Sequence, residues 1–255
     1  MTEEQLKFVE PILNTFENDD IKEFAVEMLN NLPSYIWEVG ASSSGKYHPS
    51  YTLGALGLMK HQVAVVRFVN FFFELEQYKN RFDSRQRDLI RLAALTHDGR
   101  KSGSQEDYEK SKYTKFEHPL LMAKEYLYYK DKGFLAEEEL KYMARAVSSH
   151  MGQWNTDKRS QLILPKPNDE ASELLHLADY LASRKCLNMS FDDYVVPEEK
   201  LPEIAPGDYM LTFGKHKDTT LKEVPKDYLQ WLSTQDKFPL KEPLKTFVNQ
   251  ILKGE

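Results

Sequence analysis

The 255-residue sequence contains a single cysteine, Cys186. A disulfide framework or a cysteine-based zinc site needs several thiols in one chain, so both are excluded. A long apolar run is also missing. The most hydrophobic stretch, residues 63–75, is interrupted by Arg67 and Asn70, and it falls short of the roughly 20 residues that a bilayer-spanning helix needs. The first residues, Met1-Thr2-Glu3-Glu4-Gln5, are acidic and have no apolar core of the kind a secretory leader carries. These absences predict a globular protein of a reducing compartment, the cytoplasm, with no membrane partner. Excess positive charge is absent as well. Lys and Arg total 34 against 40 Asp and Glu, a formal net charge of −6. Bulk charge therefore does not attract the chain to phosphate backbones, and only a local basic patch or a bound cation would do so. There is no internal repeat and no low-complexity tract. What is present is 41% hydrophobic residues, enough for a sizeable core.

The apolar spacing is helical through most of the chain. Thr2 and Gln5 have the spacing of a capping box, and Leu6, Val9, Ile12, Leu13 and Phe16 follow at helical intervals. Further helices are predicted over residues 21–30, 51–77, 85–95, from near Pro119, over 136–149, and from an Asp169 N-cap through Lys185. Residues 41–49 and 155–167 read as loops by composition. The character changes after Asp193: Pro197, Pro202, Pro206 and Gly207 cluster, which predicts a linker over residues 194–206. A strand over 209–213 and helices over 227–234 and 240–252 are expected in a separate unit, residues 207–255.

Seven histidines are present, and His97 is followed directly by Asp98. At the end of a helix both side chains can turn toward one cation. Imidazole with carboxylate suits Zn, Fe, Mn, Co or Ni better than a purely oxygen-ligating ion. His61 has Gly54, Gly57 and Ala64 at helical intervals around it, a small-residue stripe that permits close approach. Asp179 stands among Leu175, Leu177, Ala178, Leu181 and Ala182. A carboxylate on so apolar a helix needs a partner, either a metal ion or a cap or salt bridge. The segment Ser42-Ser43-Ser44-Gly45-Lys46-Tyr47-His48 combines small hydroxyls, a lysine and an aromatic, which suits phosphate and base contacts. It lacks the spacing of a P-loop.

Three strings, Gly57-Leu58-Met59-Lys60-His61, Leu92 through Lys101 with its His-Asp-x-x-Lys core, and Leu174 through Tyr180, occur in the order that resembles the HD-domain superfamily of metal-dependent phosphohydrolases. Phe116-Glu117-His118-Pro119 and Ser148 through Gln153 resemble the two additional histidine motifs of family members that bind two metals. The resemblance spans residues 46–187 and is closest to the HD domains of certain 3′-to-5′ exoribonucleases. It implies a mostly α fold, an HD-domain helical bundle over residues 1–193. It further implies one or two divalent transition metal ions (Mn, Fe, Zn, Ni or Co, with Mg also compatible). His61, His97, Asp98 and Asp179 would hold the first metal, and His118 and His150 a second, with Asp98 bridging. Asp98 and Lys101 are then the expected catalytic residues, Lys101 facing the substrate phosphate, with Arg100 competing for that task. Ser44, Lys46, Tyr47, His48 and Arg100 are the expected substrate-binding residues. His176 is expected to be a satisfied core histidine.

Residues 207–255 resemble a small α+β module also found beside exonuclease domains, through Phe213-Gly214-Lys215-His216-Lys217 and Asp227 through Leu232. Lys215, His216 and Lys217 with Tyr228 and Trp231 are candidates for a small basic-aromatic surface, and packing is the other reading of Trp231. The leading expectation is a hydrolase that cleaves phosphodiester bonds of single-stranded nucleic-acid ends through a metal-activated water. The alternatives are hydrolysis of a free or cyclic nucleotide, and a non-catalytic HD scaffold that binds a nucleotide or a partner. The residues carry no indication of oligomeric state.

Overall fold

The computed structural model describes residues 1–42, 48–195, 205–235, 240 and 243–253. It contains two compact units, Met1–Pro197 and Glu198–Glu255. Most of the expected linker, residues 196–204, lies outside the described residues.

The first unit is helical. In chain order it contains α1 (Glu3–Leu13), α2 (Asp19–Asn31), α3 (Gly57–Glu74), α4 (Ser84–Thr96), α5 (Gln105–Lys110), α6 (His118–Tyr128), α7 (Glu137–Ser148) and α8 (Glu170–Ala182). The capping box of α1 forms, with the Thr2 hydroxyl accepting from the Gln5 amide and the Gln5 side chain accepting from the Thr2 amide. Asp169 caps α8 by accepting from the Ser172 amide at 2.8 Å. α3 packs on α4 and α8, and α6 pairs with α7. From Asp88 to Thr96 every residue of α4 is buried, the pattern of a helix enclosed by its neighbours. The end of α4, where His97 and Asp98 stand, is therefore held in the buried interior of the unit.

α3 starts at Gly57 rather than near residue 51. Pro49 opens a 3₁₀ turn, Ser50–Thr52, and Gly54 and Leu56 then take left-handed backbone angles (φ +73° and +58°) that interrupt a helix. Backbone hydrogen bonds from Ala41 to Thr52, Leu56 to Trp37 and Leu58 to Val39 tie this turn to the preceding segment. Gly57 is needed there, because a Cβ would lie 2.2 Å from the Thr52 carbonyl oxygen. Gly57 thus serves a backbone crossing, and Gly54 a left-handed turn.

α5 was not expected from the sequence. It is one short helix with a Ser104–Asp107 capping box. It follows a loop that Tyr35 clamps: the buried Tyr35 hydroxyl accepts from the Ser102 amide and donates to the Gly103 carbonyl, both at 3.0 Å.

The second unit has a two-residue antiparallel ladder, β1 (Met210–Leu211) with β2 (Thr219–Thr220), then α9 (Lys226–Ser233) and α10 (Leu244–Lys253). Leu211, Leu221, Leu229, Phe247 and Val248 form its core. The strand is shorter than expected, and α10 starts after Pro243 rather than at Leu240, as a helix that places proline ahead of its first turn does. Among the described residues no helix is long and apolar enough to cross a membrane.

Candidate metal centre

Five helices bring their chemistry to one point in the first unit. His61 lies in the second turn of α3, and His97 and Asp98 follow the last residue of α4. His118 opens α6 just ahead of Pro119. His150 comes directly after Ser149, the cap residue that follows α7, and Asp179 sits in the last turn of α8. His61, His97, Asp98, His118 and His150 are all buried, and the Asp179 side chain is 18% exposed.

The distances are those of a ligand cluster. His61 Nε2 is 3.0 Å from Asp179 Oδ1, and His97 Nε2 is 3.7 Å from that same oxygen. His97 Nε2 is also 3.7 Å from Asp98 Oδ2. The other Asp98 oxygen, Oδ1, faces His118 Nε2 at 2.9 Å and His150 Nε2 at 3.7 Å, and those two imidazoles are 3.3 Å apart. The donor atoms of His61, His97 and Asp179 lie within 4.8 Å of one another, as do those of His97, Asp98 and His150. Asp98 turns one oxygen to each half of the cluster.

Three of the histidines repeat one local device. Nδ1 of His97 lies 2.8 Å from the Ala94 carbonyl, Nδ1 of His118 lies 2.7 Å from that of Lys115, and Nδ1 of His150 lies 2.7 Å from that of Val147. A carbonyl only accepts, so each Nδ1 carries the proton and each Nε2 presents a bare lone pair. Those lone pairs point at one another and at carboxylate oxygens. His97 Nε2 has no hydrogen-bond partner, and the short approach of His118 to Asp98 Oδ1 is out of hydrogen-bond alignment. Buried lone pairs turned toward lone pairs repel unless a cation stands between them.

Charge states agree with this. Burial pushes His97 below its ordinary pKa, with only partial opposition from Asp98 and Asp179. Burial lowers His150 to about 3. Burial alone would raise both carboxyls. For Asp98 it is outweighed by the Lys101 ammonium, and the carboxyl ends well below its usual range. For Asp179 the hydrogen bond from His61 has the same effect. Neutral imidazoles and ionised carboxylates are the ligand forms of these residues. The donor set thus fits one or two divalent cations of the imidazole-accepting kind.

The remaining expected site residues fare differently. The Lys101 ammonium is hydrogen-bonded to Asp98 Oδ2, within the cluster. The Lys101 carbonyl accepts from the Lys115 amide at 2.8 Å, which joins the His97–Asp98 loop to the segment before His118. Arg100 is not brought in: its guanidinium is held by Glu125 of α6, at 3.0 and 2.6 Å. His48 stands at the border, its ring 5.7 Å from that of His61 and its Nε2 3.5 Å from Ser183 Oγ. Burial, with the charges of His61 and Lys101, lowers it to about 4. Ser44, Lys46 and Tyr47 lie outside the described residues. His176 is half-buried and has a specific task. Its Nδ1 donates to the His150 carbonyl at 2.8 Å. Its ring also fills the space where a Cβ on Gly152 (φ +55°) would lie, 2.1 Å from Cε1. The only sequence hint of that task was its place three residues before Asp179.

Residues 59–184 match the HD domain family, and residues 198–251 match the family described as "Putative quorum-sensing-regulated virulence factor". No curated protein and no solved structure matches the chain. HD domains are, as a family, metal-dependent hydrolases, and this chain has histidine and aspartate clusters able to hold such a metal. The helical bundle thus carries an HD domain over residues 59–184, and a small additional module follows it in the chain.

Proposed function

We propose that the protein is a divalent-metal-dependent phosphohydrolase that cleaves phosphodiester bonds at single-stranded nucleic-acid ends, in the manner of a 3′-to-5′ exonuclease. The observation that carries the hydrolase reading is the set of bare Nε2 lone pairs converging with two ionised carboxylates in a buried centre. In this reading His61, His97, Asp98 and Asp179 would hold one cation, and His118 and His150, with Asp98, would hold a second. Such cations supply Lewis-acid charge to a phosphoryl oxygen and acidify a water. Asp98, with one oxygen toward each half of the cluster, would orient the reacting water. Lys101, already on the Asp98 carboxylate, offers an ammonium to the developing charge or to the leaving oxygen. His48 and the segment before it orient the phosphate and the nucleotide unit.

Hydrolysis of a free or cyclic nucleotide is the second reading. The net charge of −6 favours it, because a polymer of phosphates is repelled by an acidic surface. One panel separates the two: the full chain loaded with Mn²⁺, against mononucleotides, cyclic nucleotides, and single-stranded RNA and DNA, with His97→Ala as control. Stepwise shortening of a strand by the wild type but not the variant is the expected result. Release of phosphate from mononucleotides alone would transfer the function to the second reading. No turnover of any member would leave a binding scaffold.

A further inference from the structure

Beside the metal centre stands a group of side chains that the hydrolytic chemistry does not use. Trp154 closes a 3₁₀ turn, Gly152–Trp154, that begins two residues after His150. Its indole is 46% exposed. It stacks on the ring of Tyr180, with centroids 5.5 Å apart and planes at 12°. Arg184 completes a triangle, its guanidinium carbon 4.2 Å from the Tyr180 centroid and 5.8 Å from that of Trp154. The Arg184 Nε donates to the Tyr180 carbonyl at 3.1 Å, which fixes the fork.

Two features set this group apart from ordinary surface packing. The first is its place. Tyr180 follows Asp179 in the chain, and His176 and Tyr180 lie four residues apart on α8, so they share a stripe, with Arg184 two residues past the helix end. The neighbouring stripe holds Asp179 and Ser183, and the latter touches His48 at the border of the centre. The second is rigidity. The Trp154 amide donates to the Met151 carbonyl, and Asn155 and Leu164 exchange two hydrogen bonds at 2.8 Å just beyond it. His176 fixes the start of the turn through the His150 carbonyl. A large aromatic face, half in solvent and held by the residues that position two proposed ligands, is preorganised for a flat partner.

The geometry points to Trp154, Tyr180 and Arg184 as a stacking platform for the purine or pyrimidine base of the substrate, with the phosphate lying toward the metal centre. This deepens the phosphohydrolase reading and rests on it for the position of the phosphate. Every base has a π-face, so such a platform selects for the presence of a base and only weakly for its identity. Arg184 adds attraction to the base and to a negatively charged linkage.

The test uses the full chain with Mn²⁺ and reads binding by equilibrium dialysis, which needs no turnover. Two ligand pairs are compared: adenosine 5′-monophosphate with ribose 5-phosphate, and a short single strand ending in a 3′ nucleotide with the same strand ending in a 3′ abasic site. The wild type is expected to prefer the base-bearing member of at least one pair, and which pair tells a free nucleotide from a strand end. Trp154→Ala should shrink that preference about tenfold, and Trp154→Phe, which keeps a ring, should retain most of it. A wild type without preference in either pair overturns the platform, as does a Trp154→Phe variant that loses both members of the pair equally. Hydrolysis of the same ligands is followed in parallel. Turnover that ignores the base sinks the platform and leaves the hydrolase standing. A base preference that depends on Trp154, with no turnover of any ligand, keeps the platform and sinks the hydrolase.

Discussion

Asp88 and Asp98 are both buried carboxylates of one helical segment, in α4 and just past its end, and they live in opposite circumstances. Asp88 is saturated by its own chain. Its Oδ2 accepts from the amides of Glu17 and Asn18 at 2.8 and 2.7 Å and from the Asn18 side chain at 2.7 Å. Its Oδ1 accepts from Arg91 at 2.6 Å, and Arg91 reaches on to Asn70 at 2.7 Å. Every neighbour there is a donor. Around Asp98 only Lys101 donates, and the three imidazoles facing it turn lone pairs inward. A buried charge that the chain satisfies completely serves the fold. One that the chain surrounds with acceptors is kept for something the chain does not itself supply.

That contrast breaks most decisively at Asp98. Asp98→Ala should abolish hydrolysis and cut retained metal, measured by elemental analysis of the purified protein, while the metal-free variant unfolds in denaturant close to the metal-free wild type. If the metal-free variant loses as much stability as an Asp88 variant does, the two carboxylates are alike and the contrast is void. Asp88→Ala should cost about 3–5 kcal/mol of unfolding free energy, because it leaves the buried Arg91 charge with only the more distant Glu17 carboxylate, at 3.6 Å, and removes the acceptor for the Glu17 and Asn18 amides. Metal per folded chain should be unchanged. Asp88→Asn, which keeps an acceptor, should cost less. Lys101→Ala sharpens the picture further. Metal should remain bound while turnover falls about 10²–10³-fold, the usual loss for one electrostatic donor to a transition state. Wild-type turnover in that variant would confine Lys101 to neutralising Asp98.

The two aspartates also show how far the sequence could be read. His97-Asp98 is visible because its meaning is local: a histidine and a carboxylate side by side at a helix end, with His61, His118, His150 and Asp179 in order around them. The structure brings all six together. Asp88 has no such mark, since its donors at Glu17 and Asn18 come from a turn about 70 residues away. Most helices were legible from apolar spacing and caps, as at Thr2 and Asp169. The start of α3 was not, because the left-handed Leu56 responds to a backbone crossing from residues 37–41. The tyrosine clamp on the loop after Asp98 was equally hidden, as was the stack of Trp154 on Tyr180. Each is made by segments that meet only after folding. Arg100 was misleading for the converse reason: adjacency to the His-Asp pair does not set direction, and its side chain goes to Glu125.

The three imidazoles that donate back to a carbonyl three residues earlier have a consequence for the energetics of the whole unit. Each ring is locked in tautomer and direction before any ion arrives, so little ordering remains to oppose capture. The donors from His61 to Asp179 also belong to five separate helices, and the unfolded chain has no equivalent arrangement. An ion that binds only the folded form adds to its stability by mass action, about 1.4 kcal/mol for each tenfold excess of free ion over the dissociation constant. In this reading the first unit has no single melting temperature of its own. Its heat resistance would follow the metal supply of its surroundings, and withdrawing the ion would remove that added stability.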